Sequence, residues 1–134
     1  MPFTTEIPVR FRDIDGMGHV NNAVYFTFME QVRSEWYRRT FGVRAVGEID
    51  FILARAECDF KAPIGYGETV VVTAWVTRVG DSSFGFRYDL RSKATGTLFA
   101  TGESVQVMYD YAAGKPKSIP PELRARLEAE AARP

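Results

Sequence analysis

Residues Asn22 to Phe41 are the one long stretch of the chain in which apolar side chains recur at helical spacing, through Tyr25, Phe28, Met29, Val32 and Trp36. That single predicted helix limits what the rest of the chain can be built around. Ala23, Val24 and Phe26 widen its stripe until the first turns are apolar nearly all round, as in a helix enclosed by other structure. The second half carries Arg33, Glu35, Arg38 and Arg39 and is expected to face water. Gly42 stands where a left-handed C-terminal stop belongs.

After Ile49 the period changes from helical to alternating. Ala54, Ala56, Cys58 and Phe60 alternate with Arg55, Glu57, Asp59 and Lys61 until Pro63, Gly65 and Gly67 break the run. Glu68–Val79 is a long strand rich in valine and threonine. Ser83–Arg91 sets Phe84, Phe86, Tyr88 and Leu90 on one face, and Thr97–Tyr109 follows the tight Ala94-Thr95-Gly96 connection. Together these predict an antiparallel meander. Ahead of the helix, Val9-Arg10-Phe11-Arg12 alternates apolar and basic residues and predicts the first strand. Pro121 to Ala132 predicts a short amphipathic helix, opened by proline, with Leu123 and Leu127 inward. The order implies an α+β fold in one domain spanning residues 1–134, an antiparallel sheet wrapped around one helix. One helix covers only part of a sheet face, so the remaining apolar surface calls for a second copy, in a homodimer or a dimer of dimers.

Charge excludes some functions. Seventeen basic and seventeen acidic residues are dispersed along the chain, so neither a nucleic acid nor an anionic membrane is an expected partner. The single cysteine, Cys58, forms no internal disulfide and, with one histidine, provides no zinc-type ligand spacing. A reducing, cytoplasmic setting is expected. No metal or cofactor is expected. The N-terminal residues have no basic and apolar leader pattern, and no apolar run approaches the ~20 residues that span a bilayer.

Chemistry gathers between the first strand and the helix. Asp13, Asp15, Gly16, Gly18, His19, Asn21 and Asn22 form the densest polar cluster of the chain. A helix N-terminus offers unpaired N–H groups and the positive end of a macrodipole, and so stabilises negative charge. Asp13 suits a turn or an ion pair with Arg12, and Asn21 and Asn22 are both good caps.

The run Arg12-Asp13-Ile14-Asp15-Gly16-Met17-Gly18-His19-Val20-Asn21-Asn22-Ala23-Val24-Tyr25, continuing through Glu30 and Arg33, resembles the signature of the hotdog-fold acyl-CoA thioesterases of 4-hydroxybenzoyl-CoA thioesterase type. Its His-Val-Asn-Asn core is also similar to that of plant-type acyl-ACP thioesterases. Asp59 to Glu68 resembles the family's second strand-turn. The resemblance implies a helix wrapped in a curled sheet, active sites at a dimer interface, and hydrolysis of an acyl-CoA.

It also implies roles for individual residues. Asp15 matches the catalytic aspartate, which attacks the thioester carbonyl or activates water. The Asn22 backbone N–H matches the donor that receives the thioester oxygen. His19 is a candidate for polarising the carbonyl, although Met17 replaces the middle polar residue of the acyl-ACP pattern. Tyr25 is a candidate pocket wall, and Glu30 a partner for Arg33 or for backbone. Arg78, Ser82, Ser83 and Arg87, around the Gly80-Asp81 hairpin, are candidates for the phosphates of coenzyme A. Phe51, Ile52, Phe60 and Trp75 are candidates for an acyl pocket. Two other readings stay open: a thioesterase acting on acyl carrier protein, and a non-catalytic domain that binds or senses acyl thioesters.

Overall fold

The computed structural model describes residues 2–42 and 50–131. Strand β1 (Phe3–Pro8) leads through a 3-10 turn (Phe11–Asp13) to helix α1 (Asn22–Phe41). Strands β2 (Phe51–Phe60), β3 (Thr69–Val79), β4 (Ser83–Ser92) and β5 (Leu98–Asp110) follow, then a short β6 (Lys115–Pro116) and helix α2 (Pro121–Ala131). The sheet runs β1-β3-β4-β5-β2, antiparallel throughout, with β6 added to β5. The expected α+β layout is therefore the observed one. Of the predicted tail helix, Ala132 lies outside the described residues.

Helix α1 packs against β3 and against both β1 and β2, the two edges of the sheet. Five strands at ~4.8 Å spacing are wider than one helix of ~10–12 Å diameter, so touching both edges requires the sheet to curl around it. Tyr25, Phe28, Met29, Val32 and Trp36 are buried on the inner face, as their spacing predicts. They meet Val70, Val72 and Ala74 of β3 and Phe84, Phe86, Tyr88 and Leu90 of β4 in one core. Gly42 ends the helix at φ +67°, its N–H donating to Arg38 O at 2.7 Å. Leu123 and Leu127 are buried beneath α2, which packs on β3.

The structure corrects the sequence reading in four places. The first strand is Phe3–Pro8, not Val9–Arg12: Arg10 N–H donates to the Asp13 carboxylate, winding Phe11–Asp13 into a turn that leaves Phe11 82 % exposed. Arg33 does not face water. It is buried and donates to the Tyr88 hydroxyl at 3.4 Å, while Glu30 is exposed and makes no pair with it. In β2 a register shift between Leu53 and Arg55 takes Ala54 out of the inner row. Phe60, Cys58, Ala56, Leu53 and Phe51 form one row there, opposite Ala100, Gly102, Ser104, Gln106 and Met108, and at this sheet edge Leu53 and Phe60 remain about half exposed. The start of α1 is not enclosed all round within one copy, since Ala23 and Thr27 are exposed.

Candidate active site

The turn that leads into α1 is built almost entirely from backbone bonds. Asp15 N–H donates to His19 O at 2.9 Å and Gly18 N–H to Asp15 O at 3.0 Å, closing Asp15–Gly18 into a tight turn. Gly18 sits at φ +81°, a conformation that glycine adopts without steric cost. Ile14 bridges Val20, and His19 bridges Gly65, so the turn lies against the loop after β2. Val20 N–H donating to Ile64 O at 2.8 Å fastens it there.

Asp13 and Asn21 hold the turn from either side. The Asp13 carboxylate accepts from Arg10 N–H at 2.8 Å and from the Arg10 guanidinium at 3.0 and 3.4 Å, and Asp13 O accepts Asn21 N–H at 2.9 Å. Burial acts to raise the Asp13 pKa, but the Arg10 bonds and the charges of Arg10 and Arg12 outweigh it and hold the group below its ordinary value. The main ion-pair partner is thus Arg10 rather than the expected Arg12. Asn21 is the N-cap, its Oδ1 accepting Ala23 N–H at 2.9 Å.

Asp15, His19, Asn22 and Tyr25 line one cavity of about 430 Å³, together with Met17, Val20 and the segment Phe60-Lys61-Ala62-Pro63. Asp15 is half-buried, and its Oδ1 accepts Met17 N–H at 2.9 Å, which orients the carboxylate and leaves the second oxygen without a donor among the described residues. The N–H of Asn22, the first residue of α1, has no acceptor among the described residues, because Asn21 serves the donors of Ala23 and Val24 instead. Imidazole, carboxylate and free N–H thus share one chamber. A nucleophile or base and an electrophilic donor are what attack on a carbonyl needs.

Other expected site residues lie elsewhere. Ser83 pairs with Val107, whereas Phe60, at the cavity, pairs with Ala100. Seven residues of β5 separate those two rows, about 23 Å of strand. Ser82 and Ser83 are therefore at the far end of the sheet, and exposed Arg87 lies over the Trp75 ring at 4.2 Å. None of the three meets Asp15 within one copy. Of the expected acyl-pocket residues only Phe60 lines the cavity. Phe51 packs on Tyr37 and Phe84, Ile52 lies outside the inner row, and Trp75 is under Arg87. Lys61, Ala62 and Pro63 form a wall that the sequence reading did not assign to the site, although they lie within the second motif, Asp59 to Glu68, that it singled out. Among the described residues no group of three or more His, Cys, Asp or Glu could hold a metal ion, and no helix is long and apolar enough to cross a membrane.

A curled antiparallel sheet around one long helix, with a cavity at the helix start, is the hotdog fold. The comparisons agree: the family model described as "Thioesterase-like superfamily" matches residues 9–127, and the chain belongs to that family. Among solved structures it is similar to a thioesterase from Thermus thermophilus complexed with coenzyme A and Zn. The two are 33% identical over 98% of this chain and 96% of that one, with a TM-score of 0.86. A predicted thioesterase from Bacillus stearothermophilus is 28% identical, with a TM-score of 0.90 over 100% of this chain and 99% of that one. Among curated proteins the long-chain acyl-CoA thioesterase FadM of Escherichia coli (strain K12) is 24% identical over 92% of this chain and 96% of its own length.

Proposed function

We propose that the protein hydrolyses acyl-CoA thioesters to the free acid and coenzyme A, with Asp15 as the acting carboxylate. The observation that carries this reading is the Asp15 carboxylate and the acceptor-free Asn22 N–H on the walls of one cavity. A thioester carbonyl seated between them presents its carbon to Asp15 and its oxygen to the N–H. The charge that develops on that oxygen meets the positive end of α1. By direct attack, an Asp15 oxygen bonds to the carbonyl carbon and the carbon–sulfur bond breaks. Coenzyme A leaves as thiolate, and water then cleaves the acyl–Asp15 anhydride to free acid and regenerated carboxylate. By general-base attack, Asp15 takes a proton from water, whose oxygen bonds to the carbonyl carbon; the carbon–sulfur bond breaks, the coenzyme A thiolate takes up that proton, and the Asp15 carboxylate is regenerated. Either route calls for no cofactor beyond the coenzyme A carried by the substrate. His19, on the same wall, polarises the carbonyl or positions water, and Tyr25 forms the apolar end.

The acting form in this reading is a homodimer or a dimer of dimers. Strand β2 is an edge strand with Ile52, Leu53 and Phe60 exposed, and Phe11, Met17 and Tyr66 stand exposed near the site. That much uncovered apolar surface suits a second copy. In this reading Ser82, Ser83 and Arg87 serve the nucleotide end of a coenzyme A bound at Asp15, from the same copy or from the second one.

Thiol release from a panel of acyl-CoA substrates tests the reading. Asp15→Asn and Asp15→Ala are expected to lower turnover by ~10²–10⁴-fold or more while leaving the circular dichroism and unfolding midpoint of the parent. Full activity in a folded Asp15→Ala protein refutes it. Saturable acyl-CoA binding without thiol release would favour the binding-domain alternative, and matched acyl-carrier substrates decide between the two hydrolases. Single turnover in heavy-oxygen water, with label sought in the Asp15 carboxylate, separates direct from general-base attack.

A further inference from the structure

The proposed chemistry fixes where the thioester carbonyl sits and leaves open where the acyl group ends. Toward solvent the cavity passes Met17, which is 81 % exposed. Its lining also holds two rings that touch each other. Tyr25 and Phe60 stand edge-to-face with centroids 4.8 Å apart and planes at 76°. At that separation the rings are in contact, and no methylene chain passes between them. Tyr25 is the fixed member: it is buried, on a helix, and its hydroxyl donates to Ala62 O at 3.4 Å. Phe60, the last residue of edge strand β2, is 47% exposed and is the member that can change without disturbing the core.

Behind the ring pair the inner face of the sheet turns small. Gly102 lies opposite Cys58 and Ser104 opposite Ala56. Met29, one turn along α1 from Tyr25, covers that floor, its Cε and Sδ 2.6 and 2.7 Å from where a Cβ on Gly102 would be. A flexible side chain over small residues is space that a longer acyl chain would have to take, and the rings bar the way to it.

We infer that Tyr25 and Phe60 form the end-stop of the acyl chamber, with Phe60 setting acyl length, so that the substrates are compact acyl-CoAs carrying short straight chains or an aryl ring. This rests on the acyl-CoA reading of the same site. An aryl group adds a third ring to an edge-to-face pair, whereas a long chain must displace Phe60 or turn back past Met17, out of the chamber.

The test is kcat/KM across straight-chain acyl-CoAs from acetyl to dodecanoyl, with benzoyl- and phenylacetyl-CoA alongside, for the parent, Phe60→Ala and Phe60→Trp. In the parent, kcat/KM is expected to rise about fourfold per methylene while the chamber fills and then to level or fall. Phe60→Ala moves that break to chains longer by about two methylenes or more, and Phe60→Trp moves it to shorter ones. Unfolding midpoints confirm that each variant is folded. A parent profile still climbing at dodecanoyl, or the same break in all three proteins, overturns the end-stop. If the parent releases thiol from no acyl-CoA, the hydrolytic reading fails instead. The end-stop is then read from dissociation constants of the same series by calorimetry, where the same break and the same displacements are expected and their absence overturns it.

Discussion

Replacing Asp13 with alanine removes the acceptor that shapes the turn carrying Asp15, and the structure sets the size of the effect. Three contacts go at once: Arg10 N–H at 2.8 Å and the Arg10 guanidinium at 3.0 and 3.4 Å. They are not equal. The Asp13 side chain is 2% exposed and that of Arg10 60%. The N–H bonded to a shielded carboxylate contributes about 1.5–3 kcal/mol, whereas the guanidinium pair, open to water on one side, adds about 0–1 kcal/mol. Asp13→Ala is thus expected to cost about 1.5–4 kcal/mol, and Asp13→Asn, which keeps an oxygen for Arg10 N–H, about half of that. The pH dependence follows from the lowered pKa of Asp13. With the folded value below the unfolded one of about 4, the contribution is complete above the unfolded value and is lost as pH falls through the folded one. Urea unfolding, followed by tryptophan fluorescence at pH 7 and stepwise into acid, measures it. The gap between parent and Asp13→Ala should narrow along the acid limb. A gap below about 0.5 kcal/mol at pH 7, well under a charge-assisted bond, or one unchanged into strong acid, refutes the reasoning. Because Asp13 O also holds Asn21, the helix cap, kcat/KM is expected to fall further in Asp13→Ala than in Asp13→Asn.

Two further substitutions probe the interior between α1 and the sheet. Arg33 is 5% exposed and its guanidinium makes one hydrogen bond, at 3.4 Å to Tyr88, with no carboxylate partner among the described residues. Arg33→Met, which leaves the Tyr88–Ser104 hydrogen bond in place, is therefore expected to be neutral or to stabilise by about 1–2 kcal/mol in urea unfolding. A loss above ~2 kcal/mol would mean that the guanidinium is better paired than this contact suggests. Gly102→Ala puts a methyl 2.6 Å from Met29 Cε and 3.0 Å from Glu57 O, and an unfolding cost of about 1–3 kcal/mol is expected. Adding Met29→Ala should recover the part due to the thioether and not the part due to the carbonyl; strict additivity of the two changes contradicts the contact.

Legibility in the sequence followed the range of the interaction. Helix α1 and the inner row of β4 were readable because each is a local period, and Gly42 marked its own stop through the one conformation that glycine adopts freely. The first strand was misplaced for an equally local reason. Phe3–Pro8 alternates on a half-exposed edge with threonine and glutamate, a weak pattern, whereas Val9–Arg12 alternates strongly yet is bent by the Asp13 carboxylate. Arg33 looked solvent-facing because charge is usually exposed. Its place four residues after Met29 sets it on the inner stripe of the helix, and Tyr88, on a strand far along the chain, meets it there.

The same distinction runs through the candidate site. Asp15, His19 and Asn22 lie within eight residues of one another, so turn chemistry and a helix start were enough to group them, and the cavity does contain all three. Its opposite wall, Lys61-Ala62-Pro63, enters through pairings some forty residues apart, such as Val20 N–H to Ile64 O, which no local pattern encodes. Ser82, Ser83 and Arg87 were grouped with the site by residue type alone, and sheet register assigns them to other places in the same copy. In the acyl-CoA reading these residues serve the nucleotide end of the substrate, from the same copy or a second one, so substituting them should weaken binding of the nucleotide portion without altering the acyl-length profile that Phe60 sets.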